Sequence, residues 1–171
     1  MMRNVSMSKY MRKISAVILM LMLLLSLVSC GSLTKTVKSE GMTIELSKEY
    51  QKSTLANATW YYKSPDGLAM GIKSLKDDIE KSGLEANSVS DYAEAYIKAN
   101  NIPGNPKVKS KNSYVYFKHN KKVSGTKYSY LTFFYDHGDS YWMVSFACYK
   151  EMFKDYKADF FASADSVTFE D

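Results

Sequence analysis

The sequence predicts an α+β domain, an antiparallel β-sheet with helices on both faces. Three observations predict it. Residues 127–149 read as a long aromatic hairpin that is apolar on both sides, and a sheet greasy on both sides has to be covered on both. The stretches Ser90–Ala99 and Lys150–Ala164 carry apolar residues at helical spacing and can supply the covers. The chain holds fourteen tyrosines, eight phenylalanines and two tryptophans, enough large side chains for a real core in one domain.

The first thirty residues stand apart from that domain. Arg3, Lys9, Arg12 and Lys13 make a basic start with no acidic residue, and an apolar run from Ile14 to Val28 follows, broken only by Ser15 and Ser26. A basic start, a short apolar middle and small residues at a cut form the secretory signal pattern. The run is shorter than the roughly 20 apolar residues a membrane-spanning helix needs. It ends at Leu27-Val28-Ser29-Cys30-Gly31, which resembles the lipobox of bacterial lipoproteins. That resemblance implies that residues 1–29 are a lipoprotein signal peptide, that Cys30 receives a diacylglyceryl group, and that Cys30 begins the mature chain. It also implies a cell-membrane location, lipid-anchored on the extracytoplasmic face. A second acyl chain matters physically, because one chain alone binds a membrane only marginally. Residues 30–40, polar and small after the cysteine, read as the lipidated end and a tether; ten extended residues reach at most about 35 Å. Residues 41–171 then form a single α+β domain.

Each element of that domain has a local reason. Gly41–Leu46 alternates apolar and polar residues as a strand does. Ala58–Lys63, with Trp60-Tyr61-Tyr62, is a second strand, and Ser64-Pro65-Asp66-Gly67 is a turn because Pro presets φ and Gly accepts a positive one. Leu68–Ile72 returns as the hairpin partner. Lys76–Asn87 holds a short helix ended near Gly83. A better helix starts at Ser90 as cap, with Val89, Tyr92, Ala93, Tyr96 and Ile97 on one stripe, and 100–106, rich in Asn, Pro and Gly, stops it. Tyr114–Lys118 is a strand, His119–Thr126 a polar connection, and Lys127–Tyr135 and Ser140–Tyr149 a hairpin turning at 136–139. Along its first strand Tyr128, Tyr130 and Phe134 share one face, and Leu131, Phe133 and Tyr135 the other. Met152, Phe153, Tyr156, Phe160 and Phe161 give the last helix its apolar side, and 165–170 is a closing strand.

In this order of elements the chain resembles the PsbP-like fold, an antiparallel sheet between helices. The resemblance rests on Tyr128–Tyr149 and Tyr156–Phe169, with Met42–Ile72 in support. The family is a plan of elements found in extrinsic photosystem subunits, a Ran-binding import factor and small bacterial lipoproteins. It implies a fold and carries over no site residue.

Charge excludes one partner class. The whole chain has 23 basic and 18 acidic residues and a pI near 9.0, but four of the basic residues lie in the signal, leaving 19 against 18. The basic pI belongs mostly to the discarded segment, so no nucleic-acid partner follows. Cys30 and Cys148 are the only cysteines. With the first acylated, no disulfide can form within the chain, and Cys148, on the strand face of Trp142, Val144 and Phe146, reads as a small buried hydrophobe.

Chemistry is sparsely encoded. His119 and His137 are the only imidazoles. Asp136-His137-Gly138-Asp139 could offer a divalent ion two carboxylates and an imidazole, but Asp and Gly also belong in a hairpin turn for backbone reasons. No HExxH, CxxC, P-loop, dinucleotide fingerprint or nucleophile elbow is present, so no cofactor, no metal and no enzyme activity are expected. The tyrosine surplus is the other candidate feature. Tyr61, Tyr62, Tyr114, Tyr116 and Tyr141, with Tyr128 and Tyr130, could line a ligand or partner surface, although sheet propensity alone also explains tyrosines here. The expected function is a lipid-anchored, non-enzymatic binding or accessory domain, meeting an envelope protein or cell-wall component near the bilayer. The alternatives are a small-ligand carrier with an aromatic-lined pocket and an envelope hydrolase assembled from distant residues.

Overall fold

The computed structural model describes residues 33–170. The signal segment and Cys30 lie outside the described residues. Thr34 begins a compact unit that runs to the C-terminus.

Seven strands form the main sheet: β3 (Gln51–Ser53), β4 (Trp60–Lys63), β5 (Gly67–Leu75), β6 (Lys109–Lys111), β7 (Tyr114–Val123), β8 (Thr126–His137) and β9 (Ser140–Tyr149). Their order is β3-β4-β5-β9-β8-β7-β6, and every neighbouring pair is antiparallel. A second, three-stranded sheet has the order β1-β2-β10, from β1 (Thr34–Ser39), β2 (Met42–Ser47) and β10 (Thr168–Phe169). Three helices complete the fold: α1 (Lys76–Lys81), α2 (Val89–Ala99) and α3 (Phe153–Asp165), the last preceded by a short 3₁₀ turn at Lys150–Met152. The expected α+β architecture, with helices on both faces of an antiparallel sheet, is what the chain forms.

Period-two alternation divides the main sheet into two cores. On one face, Trp60, Ala69, Tyr114, Leu131, Phe133, Tyr135, Trp142, Val144, Phe146 and Cys148 pack against Phe153, Phe160 and Ala164 of α3 and against Val37, Met42, Ile44 and Leu46 of the small sheet. The cover on this side is therefore a helix and a second sheet together. On the other face, Val115, Phe117, Phe134, Tyr141 and Met143 meet Tyr92, Ala93 and Ile97 of α2. Among the described residues both clusters draw on residues 37–169, inside the compact unit that begins at Thr34, so residues 31–171 carry that unit whole.

Four local expectations are corrected. Residues 34–39, read as tether, are strand β1, paired residue for residue with β2 from Thr34 opposite Ser47 to Ser39 opposite Met42; only Val37 of β1 is buried, so no apolar alternation announced it. Residues 119–126, read as a connection, continue β7 to Val123 and turn through Ser124 and Gly125 into β8. Those two residues have φ of 48° and 90°, the left-handed pair that a two-residue hairpin turn requires. Asp136 and His137 belong to β8, opposite Tyr141 and Ser140. The cap of α2 is Ser88: its hydroxyl accepts the Asp91 N–H at 3.2 Å and donates to the Asp91 carboxylate at 2.9 Å, a reciprocal arrangement that Ser90, facing Ala93, could not make.

Candidate functional site: a tyrosine shelf on the open half of the sheet

On its face of the sheet the helical cover is shorter than the strands beneath it. Helix α2 has 11 residues, about 16 Å at 1.5 Å per residue, whereas β8 has 12, about 40 Å at 3.3 Å per residue. Over the uncovered part, β4, β7, β8 and β9 present the same parity of residue. Tyr61, Tyr128, Tyr130 and Tyr149 line an open concavity of about 300 Å³, with Lys63 and Val123 at its rim. Tyr61 is buried, while Tyr128, Tyr130 and Tyr149 are half-buried. Tyr128 stacks on Tyr149 with ring centroids 5.4 Å apart, and Lys63 Nζ stands 5.6 Å from the centre of the Tyr61 ring. Burial raises the pKa of both Tyr61 and Tyr130. The shelf therefore offers neutral phenols: flat apolar faces, each carrying a hydroxyl that donates or accepts.

His119 closes the inner side. Its ring stacks on Tyr130, with centroids 4.7 Å apart and planes 12° from parallel, and it is 8% exposed, with Nδ1 lacking a hydrogen-bond partner. Burial, and then the charge of Lys121, push its pKa from its ordinary 6.5 down to about 4. The imidazole is neutral at neutral pH. As pH falls from 6.5 to 4, the unfolded chain takes up a proton that the folded chain refuses, so stability is lost across that window. At about 1.4 kcal/mol per unit, allowing for partial access of water, the loss is about 2 kcal/mol. The His119→Gln variant should melt with a flatter pH dependence between pH 7 and 4.5; a melting profile as steep as that of the parent would place the acid sensitivity elsewhere.

The five tyrosines expected to share a surface do not share one. Tyr61 lies on the shelf. Tyr141 is on the same sheet face but beneath α2, stacked on Tyr92 at 4.8 Å. Tyr62, Tyr114 and Tyr116 point to the opposite face. There Tyr114 donates to Asp165 Oδ1 at 2.7 Å, with burial and that carboxylate pushing its pKa up to about 12, and Tyr116 meets Phe161 edge-on at 5.2 Å. Neighbours in sequence were separated by the alternation. Tyr128 and Tyr130 do join Tyr61, and Tyr149 and His119 complete the shelf; their signal was equal parity on strands whose pairing the sequence does not state.

The Asp136–Asp139 group is dispersed by the same rule. Asp136 pairs with Lys76 at 2.6 Å, His137 stacks on Phe169 at 4.5 Å, and Asp139 accepts from the Ser140 hydroxyl at 2.6 Å. Among the described residues no three His, Cys, Asp or Glu side chains are grouped to hold a metal ion. Cys148 is fully buried, and burial pushes its thiol up to about 11, which leaves almost no thiolate at neutral pH. A broader groove of about 1030 Å³ runs beside α2 and the loop after it, lined by Glu85, Asp91, Glu94, Lys98 and Lys107 among others but by no aromatic residue. It has the character of a solvated helix flank. Among the described residues no helix is long and apolar enough to cross a membrane.

No family model matches the sequence, and no curated protein matches it. Solved structures do resemble it. A Bacteroides thetaiotaomicron protein superposes with a TM-score of 0.55 at 14% identity, over 81% of this chain and 49% of that one, so this chain spans about half its length. The Saccharomyces cerevisiae Ran-binding protein Mog1p superposes with a TM-score of 0.51 at 5% identity, over 80% of this chain and 95% of that one. A cyanobacterial PsbP from Synechocystis gives 0.44 at 10% identity, over 85% and 99%. The first two likenesses establish a shared α+β fold.

Proposed function

We propose that the protein is a lipid-anchored, extracytoplasmic, non-enzymatic domain of the cell envelope, tethered through Cys30 and binding through the tyrosine shelf. The observation that carries this reading is the shelf itself. Four tyrosines are left on the open half of a sheet whose other surfaces are covered, and Tyr is enriched where proteins meet partners. The lipobox supports the anchor. The yeast neighbour is a binding protein, which is compatible with a binding role, though a fold alone does not assign one.

The remaining chemistry supports a non-enzymatic reading. His119 is buried against Tyr130, His137 is stacked on Phe169, and the one described thiol is sealed in the core, so among the described residues neither imidazole is set beside that thiol as a base. The carrier alternative calls for an enclosed cavity; the shelf is open and at the small end of ligand-site volumes.

Replacing Cys30 by Ala tests the anchor. Membranes washed in high salt should retain the parent protein and lose the Cys30→Ala variant almost completely to the soluble fraction. Equal retention of both would refute lipidation at Cys30.

A further inference from the structure

The shelf lies at the end of the domain where the chain enters. Thr34 pairs with Ser47, the Tyr50 N–H donates to the Ser47 carbonyl at 3.2 Å, and Gln51 then pairs with Lys63 at the lower end of β4. From Lys63 the same end runs through Leu68 and Cys148 to the Tyr128–Tyr149 pair. Beyond that pair the β7–β8 hairpin projects to its tip at Val123–Thr126. Val123, at 42%, is among the most exposed large apolar residues described.

Ion pairing differs along the same axis. Lys48, Lys52, Lys63, Lys121, Lys122 and Lys127 are exposed at this end, and residues 118–127 contain four lysines and no acidic residue. None of these six enters a salt bridge among the described residues. The acidic residues of this end are Glu49, Asp66, Glu151, Asp155 and Asp159; Asp66 accepts from the Tyr156 hydroxyl at 3.0 Å, Asp155 sits in the first turn of α3, and Asp159 lies near Tyr50. Toward the opposite end stand Asp77, Asp78, Asp136, Asp139, Asp165 and Glu170. There Lys38, Lys76, Lys81 and Lys111 pair with Glu170, Asp136, Asp78 and Asp165, so the lysines that no described carboxylate pairs with include those of the shelf end and its hairpin.

We infer that this end of the domain lies directly against an anionic bilayer, with the hairpin lysines on lipid phosphates, Val123 at the apex and the shelf tyrosines at headgroup depth. The inference rests on the anchoring reading above and names the surface that the shelf meets. Only Gly31, Ser32 and Leu33 separate Cys30 from β1, a span of at most about 14 Å from Cys30 to Thr34. An acylated Cys30 would hold this end, and no other, at the membrane. Charge complementarity points to the same occupant, since a surface of anionic lipid headgroups attracts each nearby lysine. Tyrosine, with an apolar ring and a polar tip, suits a zone that is wet on one side and oily on the other.

The test uses residues 31–171, which lack Cys30, so acylation plays no part and the anchor and the contact fail separately. The chain is sedimented with vesicles of phosphatidylglycerol and phosphatidylcholine in equal parts, and with phosphatidylcholine alone. Binding to the anionic vesicles only, weakening steeply with salt, is expected. At about fivefold for each lysine removed from the surface, the Lys121→Glu/Lys122→Glu/Lys127→Glu variant should bind at least about 100-fold more weakly while melting like the parent. The control Lys98→Glu/Lys107→Glu/Lys109→Glu carries the same charge change beside α2 and should bind within a few-fold of the parent. The inference is overturned by absence of sedimentation, by equal binding to neutral vesicles, or by equal losses in the two triple variants. Capture by soluble polyphosphate as tight as by vesicles would reassign the end to an anionic polymer and overturn it too.

Discussion

Gly71→Ala should destabilise the domain by about 3 kcal/mol or more, the upper range for forcing atoms into a packed core. Gly71 lies opposite Trp60 in the β4–β5 ladder, and the Trp60 indole lies flat over it. A Cβ added at Gly71 would stand 2.1 Å from Trp60 Nε1 and 2.3 Å from Cε2, inside any tolerable contact. The ring has nowhere to retreat, because Trp60 is itself buried in the core beneath the small sheet. An aromatic residue laid over a strand glycine fixes local register, so the penalty falls on β4, the strand that carries Tyr61 and Lys63 to the shelf. Against a total stability of about 5–15 kcal/mol, that loss shifts a urea midpoint far enough to measure. The Trp60→Val background should relieve much of it, since the clash is with the indole alone, and a double-mutant cycle reads the coupling directly. A Gly71→Ala variant within about 1 kcal/mol of the parent would show that Trp60 does not occupy that space.

What could be read in the sequence follows from the range over which each cue acts. The β8–β9 hairpin was legible because Leu131, Phe133 and Tyr135 alternate with Tyr130 and Phe134 on one strand, a cue confined to neighbours. The α2 stripe of Val89, Tyr92, Ala93, Tyr96 and Ile97 was legible for the same reason, although its cap fell two residues away, on Ser88. Strand β1 and the outer half of β7 were not legible. Their residues are mostly polar and exposed, and what holds them in the sheet is backbone pairing, which any sequence can supply. The shelf was the least legible feature. Tyr61, Tyr128, Tyr130 and Tyr149 come from three strands, and their partial exposure depends on α2 ending after three turns. Sequence shows the length of a helix but not which half of a sheet it will cover.

The second large effect separates the two kinds of aromatic residue on β8. Phe133 is fully buried and meets Tyr114, Phe161 and Phe146 edge-on, with centroids 5.3, 5.5 and 6.0 Å away. Phe133→Ala removes a whole ring from a site enclosed by α3 and the sheet, and should cost about 4 kcal/mol, the loss of burial plus the cavity left behind. Tyr130, three residues earlier on the other face, is half-buried and keeps the shelf side open to solvent. Tyr130→Ala should cost about 1 kcal/mol, the worth of its stacking on His119. The two variants contain the same β8 backbone, so a difference in their urea midpoints reports the environment of the side chains. A ratio near four means that the face beneath α3 holds the fold together while the shelf can be spent on binding. Equal costs would make Tyr130 a core residue, leave the domain without a dispensable aromatic surface, and remove the basis for assigning one to membrane contact.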